Sequence, residues 1–410
     1  MVYNGHEMEV IFMNINLSSQ NEIFIKNEYS YLLDDIRKYR QELHRIPELG
    51  FLVYKTGAYV KEILSKLECK IEPLVNTGFA VFFDFGCKES ICFRCDMDGL
   101  PIEEQTVAFY ASEHEGCMHA CGHDGHMANM LGFAHVLDKY KKEKKELPYN
   151  ALLIFQPAEE TIDGAEAIVN TTVFEDYNVK AIYGLHLWPM IEKGEIASKP
   201  GPMMARSTNV KVIFEGKSAH AGEPEKGRDA LLAACEFVTK IYDYKDNFIR
   251  ERSILQFGKM ESGNVRNAIS PYTSLDGTMR TFNDLTWAKI VNAMRNIADD
   301  IEQNIGVKVD VDVSQWHPAV INDTDLYAKI KYALKNLDFV ELRRPVMIAE
   351  DFSCFEQVLP GVFFFLGTGT GIPLHNDHFD FDEDVLLNGI KLFDTLLKTQ
   401  LSTCSVDIGS

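Results

Sequence analysis

The chain has 410 residues, 46% hydrophobic and 25% charged, which is globular composition with enough apolar material for more than one core. Its formal net charge of −20 argues against nucleic acid or an anionic membrane as the main partner, since both are bound through a basic face, and no run approaches a membrane span. Nine scattered cysteines read as reduced thiols, and Glu7 and Glu9 stand where a secretory signal would need basic residues, so the expected compartment is the cytoplasm.

Residues 1–28 show no clear periodicity and read as a loose extension. Residues 30–45 have the spacing of an amphipathic helix, ended by Pro47 and Gly50. The short apolar runs at 79–85 and 91–95 predict buried strands, 126–142 a helix, and 151–156 and 180–187 further strands. Strands alternating with helices imply an α/β domain with a largely parallel sheet. Residues 208–313 read differently, as strand, helix, strand, strand, helix, strand, which is the ferredoxin-like βαββαβ order. The expected organisation is a domain from 29–200 and 314–410, interrupted by a second over 201–313. Residues 362–366 give a core strand of the first.

Polar clusters follow the predicted strands, where an open parallel sheet forms its ligand crevice. Asp96 and Asp98 alternate onto one side of an extended chain, where they can ligate a metal or orient a ligating histidine; a plain Asp-Gly turn explains them equally well. His119, Cys121, His123 and His126 lie within eight positions, and Gly122 lets the backbone bring Cys121 and His123 to one ion. Thiolate and imidazole are zinc-type donors that also suit manganese or cobalt in mixed sites. His126 is expected to pack or hydrogen-bond in the first helical turn. Glu159 and Glu160 would repel each other at a buried strand end unless a cation or proton is shared, although a solvated turn also fits. One of the pair can bind metal while the other takes a proton from water. His186 sits inside an apolar strand, and His375 follows a glycine-rich turn; alone, each reads as a core or loop histidine. Cys121, His123, Glu160, His186 and His375 together supply more donors than one catalytic zinc needs and suit two ions sharing a ligand.

The segments HRIPELGF, RCDMDGLPIEE, MHACGHDGH, IFQPAEE, GLHLWP, GTMRTF, AEDF and PLHNDHF, in this order, resemble the amidohydrolase branch of peptidase family M20. That branch includes hippurate hydrolases, plant indole-acetyl-amino-acid hydrolases, bacterial aminoacylases and N-acetyldiaminopimelate deacetylases. The resemblance implies a metallo-catalytic domain with an inserted lid and two divalent metal ions per subunit, zinc or manganese, with cobalt or nickel as alternatives. It implies Cys121, His123, Glu160, His186 and His375 as metal ligands, Glu159 as general base and Asp98 as the acid that orients the site. His220 of KSAHAGEP matches the histidine that polarises the scissile carbonyl, and Asn267 and Arg280 match residues that hold a substrate carboxylate.

Two departures, Pro224-Glu225 after the lid histidine and Asn267-Ala-Ile-Ser-Pro271, fall near the expected substrate and bear on its identity. The implied activity is hydrolysis of an N-acyl amino acid. A dipeptidase or carboxypeptidase, an N-acetyldiaminopimelate deacetylase, and a metal-binding protein without activity remain as alternatives. The lid's exposed sheet edges also imply a homodimer or higher homo-oligomer, with neither nucleic acid nor membrane as partner.

Overall fold

The computed structural model describes residues 28–161, 163–315 and 317–401. The extension expected over 1–28 falls, apart from Glu28, outside the described residues. The chain opens with α1 (Leu33–His44), α2 (Tyr54–Leu64), β1 (Lys70–Pro73), β2 (Phe79–Phe83), β3 (Ser90–Asp96) and α3 (His123–Lys142). It continues through β4 (Asn150–Gln156), α4 (Gly164–Val169), α5 (Val173–Asp176), β5 (Val179–Trp188), β6 (Ile196–Ser198) and β7 (Gly201–Met204). An inserted unit follows: β8 (Arg206–Glu215), α6 (Ala230–Phe248), β9 (Ile254–Ser262), β10 (Tyr272–Thr281), α7 (Asp284–Ile305) and β11 (Lys308–Gln315). The chain returns as β12 (Val320–Asn322), α8 (Thr324–Leu334), β13 (Phe339–Glu341), α9 (Phe352–Phe355), β14 (Gly361–Gly367) and α10 (Leu386–Lys398).

The first unit is built on a sheet of order β1-β2-β4-β3-β5-β14-β6-β13. Its centre, β4-β3-β5-β14, is parallel. The flanks are mixed: β2 runs antiparallel to β1 and β4, and β6 antiparallel to β14. The expectation of a largely parallel sheet therefore holds for the centre alone. The link 74–78 is too short for a crossover and returns the chain as an antiparallel hairpin. The central strands β3, β4 and β14 are buried throughout, because helices cover both faces. Phe93 of β3 packs on Phe133 of α3 and Phe393 of α10, with ring centroids 4.9 and 5.0 Å away. Its neighbour Cys92 points to the opposite layer with Leu152, Ile182 and Phe363. Helix α2 has the spacing of an amphipathic helix, burying Thr56, Gly57, Val60, Ile63 and Leu64, but the sequence reading passed over it.

After β3 the chain crosses to β4 on one side, and after β4 it crosses back to β5 on the other. The carboxyl end of β3 is thus the point where the strand order reverses, which opens a crevice there. The inserted unit has the antiparallel order β11-β8-β10-β9, the ferredoxin-like topology expected. Val210, Val212 and Phe214 of β8 face the core under α6 and α7, while Asn209, Lys211 and Glu215 are exposed. Where the chain leaves and re-enters the first unit, β7 and β12 pair side by side.

Beyond α9, Glu356 keeps one carboxylate oxygen buried without a partner, while the other accepts from Ile321 N at 2.6 Å. Burial, reinforced by Asp323 and Glu350, pushes this carboxyl up to about 8. A carboxyl raised above its unfolded value of about 4.3 stabilises the fold fully below that value. The contribution is then lost as pH rises through the folded value. Glu356→Gln should therefore gain stability on the natural chain between pH 5 and pH 8, by up to ~1.4 kcal/mol per pH unit. Urea unfolding of both proteins across that window checks this, and parallel pH profiles would contradict it.

Candidate metal centre

The polar segments converge at the reversal point because each follows a central strand. Asp96 ends β3 and Asp98 lies in the turn beyond it; Glu159 and Glu160 follow β4; His186 lies near the end of β5. Gly122 caps α3 at φ 84°, a left-handed conformation that turns the chain sharply between Cys121 and His123. A Cβ there would also come within 3.0 Å of Leu187. Ala158 and His375 hold left-handed φ values of 61° and 62° despite their side chains. Such backbone is unfavourable for non-glycine residues and survives where the surroundings fix it. At Ala158 it turns Glu159 and Glu160 back over the strand ends.

The donors fall into overlapping groups whose ligand atoms lie within 4.8 Å of one another. One group is Cys121, His123 and His186; another is Cys121, Glu160 and His375; His123 also groups with Glu159 and Glu160. Cys121 Sγ is 3.4 Å from His186 Nε2, and Glu160 Oε1 is 3.8 Å from His123 Nε2 and 3.4 Å from His375 Nε2. Backbone carbonyls orient the imidazoles. His123 Nδ1 is 2.8 Å from Asp98 O, and His186 Nδ1 is 2.7 Å from Leu187 O. With Nδ1–H donating to a carbonyl, each Nε2 keeps its lone pair for the centre. The Asp98 carboxylate accepts from Glu159 N at 3.0 Å and Glu160 N at 3.1 Å, which fixes the acidic pair by its backbone.

These residues fit divalent cations on grounds of charge and of unmet hydrogen bonding. Among the described residues His123 Nε2 and Glu160 Oε1 are buried with no hydrogen-bond partner, a costly arrangement without an ion. Burial alone would lower the His123 pKa, yet Asp96, Asp98 and Glu160 push it up to about 10, as a strongly negative potential requires. Burial holds His186 neutral, the form that ligates. Burial beside Glu160 and Glu159 keeps the Cys121 thiol protonated far above its usual range until a cation offsets those charges. The adjacent glutamates are driven apart. Burial, with Glu350, Glu160 and Asp351 nearby, raises Glu159, whereas His375 and His123 outweigh burial and lower Glu160. Such a split suits one carboxylate to moving a proton and the other to staying anionic.

Other expected residues lie elsewhere. His119 is buried and belongs to none of these groups. His126 bonds at both nitrogens, 2.6 Å from Asp96 Oδ1 and 2.9 Å from Leu187 N. In the inserted unit His220 is exposed and its Nδ1 accepts from Gly222 N at 3.1 Å. Asn267 is also exposed and its carbonyl accepts from Ala221 N at 3.0 Å, so these two loops run together. Arg280 is half-buried on β10, bonding Thr278 Oγ1 at 2.5 Å and Met279 O at 3.2 Å. No ion pair engages Arg280 among the described residues, and no hydrogen bond joins His220, Asn267 or Arg280 to the donor groups.

Arg94, to which no motif in the sequence assigns a role, also belongs to the site. Fully buried, it bonds Gln156 at 2.7 Å, Asp96 at 2.7 Å and Asp351 at 2.6 Å, and lies 3.0 Å from Glu350. Its signal was a cation inside an apolar strand, two positions before an aspartate and so on the same face.

A model of peptidase family M20/M25/M40 matches residues 92–399. The chain belongs to this family. An uncharacterized hydrolase of Staphylococcus haemolyticus is 32% identical over 378 residues, covering 89% of this chain and 98% of that one. Among solved structures, a candidate aminohydrolase of methicillin-resistant Staphylococcus aureus is 26% identical with a TM-score of 0.84, covering 91% and 98% of the two chains. YxeP of Bacillus subtilis, described as a dinuclear metal-binding peptidase of the M20 family, is 27% identical with a TM-score of 0.80, covering 90% and 99%. The chain is thus an M20 metal-dependent hydrolase with an α/β catalytic unit and an inserted ferredoxin-like unit.

Within that family frame the two glutamates should fail differently. Glu159→Gln should keep its metal while kcat falls by about 10²–10⁴. Glu160→Gln should lose bound metal as well, measured by elemental analysis after gel filtration. Equal metal loss in both would contradict the division of labour.

Proposed function

We propose that this M20 hydrolase cleaves the amide bond of an N-acyl amino acid, giving a carboxylic acid and a free amino acid. The observation that carries the reading is the pair of donor groups sharing Cys121, with Glu160 in one of them and Glu159 grouped beside it with His123. Cys121, His123 and His186 would hold one divalent ion, and Cys121, Glu160 and His375 the other. When bound, such ions act as Lewis acids that bring the pKa of water towards neutrality. Zinc suits the sulfur and imidazole donors, and manganese is an alternative for a mixed set that includes a carboxylate.

The chain's own residues supply the rest. Glu159, raised by burial and its acidic neighbours, accepts the proton of the attacking water and delivers it to the leaving nitrogen. Asp98 holds the Glu159 and Glu160 amides and so fixes where the base points. His220 donates to the carbonyl oxygen as negative charge develops on it. Arg280 and Asn267 hold the substrate carboxylate. Support for this comes from Arg280 itself, a half-buried guanidinium with no acidic partner among the described residues of a strongly acidic chain.

Among the described residues no hydrogen bond or ion pair joins His220 to the donor groups, which supports an assembly in which it meets the site of a second copy. The lid sheet leaves β9 and β11 as edges for pairing about a twofold axis. Full turnover by a sedimenting monomer would end that part of the proposal. A cytoplasmic setting agrees with the free thiols among the described cysteines.

The test is amine release from a panel of N-acetyl amino acids, their amides, and dipeptides, N-acetyldiaminopimelate included. Hydrolysis of the acids is expected, and Arg280→Ala should cut it by about 10²-fold or more while sparing the matching amides. Equal loss on acids and amides would rule out the carboxylate role. Activity confined to dipeptides would favour the peptidase alternative.

A further inference from the structure

We infer that His126 and Asp96 are positioning residues that hold His186 in the ring orientation and tautomer a metal ion requires, and that His126 is not itself a ligand. The inference rests on the two-ion reading above and assigns work to groups that reading leaves idle. Asp96, His123 and His126 come close enough together to suggest a third donor group. The hydrogen bonds argue otherwise. Leu187 N lies 2.9 Å from His126 Nε2, and an amide N–H can only donate, so Nε2 carries the lone pair and the proton sits on Nδ1. That Nδ1–H points at Asp96 Oδ1, 2.6 Å away. Asp96 Oδ2 in turn accepts from Arg94 Nη1 at 2.7 Å. Both nitrogens of His126 and both oxygens of Asp96 are therefore committed.

What the chain of bonds reaches is Leu187. Its amide is pinned by His126, and its carbonyl accepts the His186 Nδ1–H at 2.7 Å. The two imidazoles also meet edge to face, with centroids 4.5 Å apart and planes at 68°. Arg94, Asp96, His126 and Leu187 thus form one buried line of contacts behind His186, whose Nε2 faces Cys121 Sγ at 3.4 Å. Removing His126 would leave the Leu187 amide unpaired and open space beside the His186 ring, without removing a donor from the centre. Partners of this kind typically change metal affinity by about 10–100-fold.

Two measurements test the assignment. In the unsubstituted protein carrying ¹⁵N-labelled histidine, zinc titration should shift the Nε2 resonances of His123 and His186 and leave His126 Nε2 as an unprotonated, unligated nitrogen. In the second, His126→Ala is titrated with cobalt and zinc. It should still take two ions at saturation, bind one about 10–100-fold more weakly, and show an altered Cys121 thiolate-to-cobalt absorption band. His126→Gln, whose side-chain carbonyl can accept from Leu187 N, should recover part of the affinity and of the band. A coordination shift at His126, loss of a whole ion in His126→Ala, or wild-type affinity and spectrum in that variant would each overturn the inference while leaving the two-ion reading intact. Failure of the unsubstituted protein to bind zinc would overturn that reading and this inference with it. Should His126→Ala fail to fold, the nitrogen resonances of the unsubstituted protein decide alone.

Discussion

Asp96, Asp98, Glu350 and Asp351 are buried at one end of a single sheet with Glu159 and Glu160 half-buried beside them, and the guanidinium among them is that of Arg94. Buried carboxylates are tolerated only when paired, protonated or bound to cations. Arg94 answers Asp96, Glu350 and Asp351 through direct contacts, and Asp98 is met by backbone amides. Glu159, Glu160 and the Cys121 thiol are met by no Lys or Arg ion pair among the described residues and gather instead with His123, His186 and His375. The local architecture, from the left-handed turn at Ala158 to the cap at Gly122, keeps that imbalance in place. A site so arranged is poised for divalent metal, and the unmet ligand atoms of His123 and Glu160 are its most direct mark.

The fold explains why these residues meet although they are scattered from Asp96 to His375. The chain crosses one way from β3 to β4 and the other way to β5, so the loops beyond the parallel strands share one crevice. The order of the segments in sequence is then immaterial to the chemistry. The inserted unit has its own antiparallel sheet and core, and it joins the first unit where β7 and β12 pair. That separation suits the role proposed for His220, Asn267 and Arg280, of meeting substrate from outside the donor groups.

Much of this was legible in the sequence because the signals were local. Short apolar runs marked β2, β3, β4 and β5, and the βαββαβ order marked the inserted unit. The cluster of Cys121 and His123 about a glycine, and the acidic pair after a buried strand, marked candidate donors that the fold brings together. What escaped depended on partners far along the chain. Arg94 meets Asp351 and Glu350, and nothing near Arg94 in sequence announces them. The β1–β2 hairpin followed from its short link, which periodicity does not report, and the other antiparallel pairs, β2–β4 and β6–β14, join strands that are not consecutive in the chain. His126 was legible as a packing or hydrogen-bonding residue of the first helical turn, but its partners were not, because Asp96 and Leu187 arrive from two different strands.

The account stands on Cys121 being shared by two ions. Anomalous diffraction at the zinc edge from crystals of the metal-loaded protein measures this directly. Two peaks are expected, both at Cys121 Sγ, one beside His186 and the other beside Glu160 and His375. A single peak, or an ion seated between Asp96 and His126 with Cys121 unbound, would contradict it.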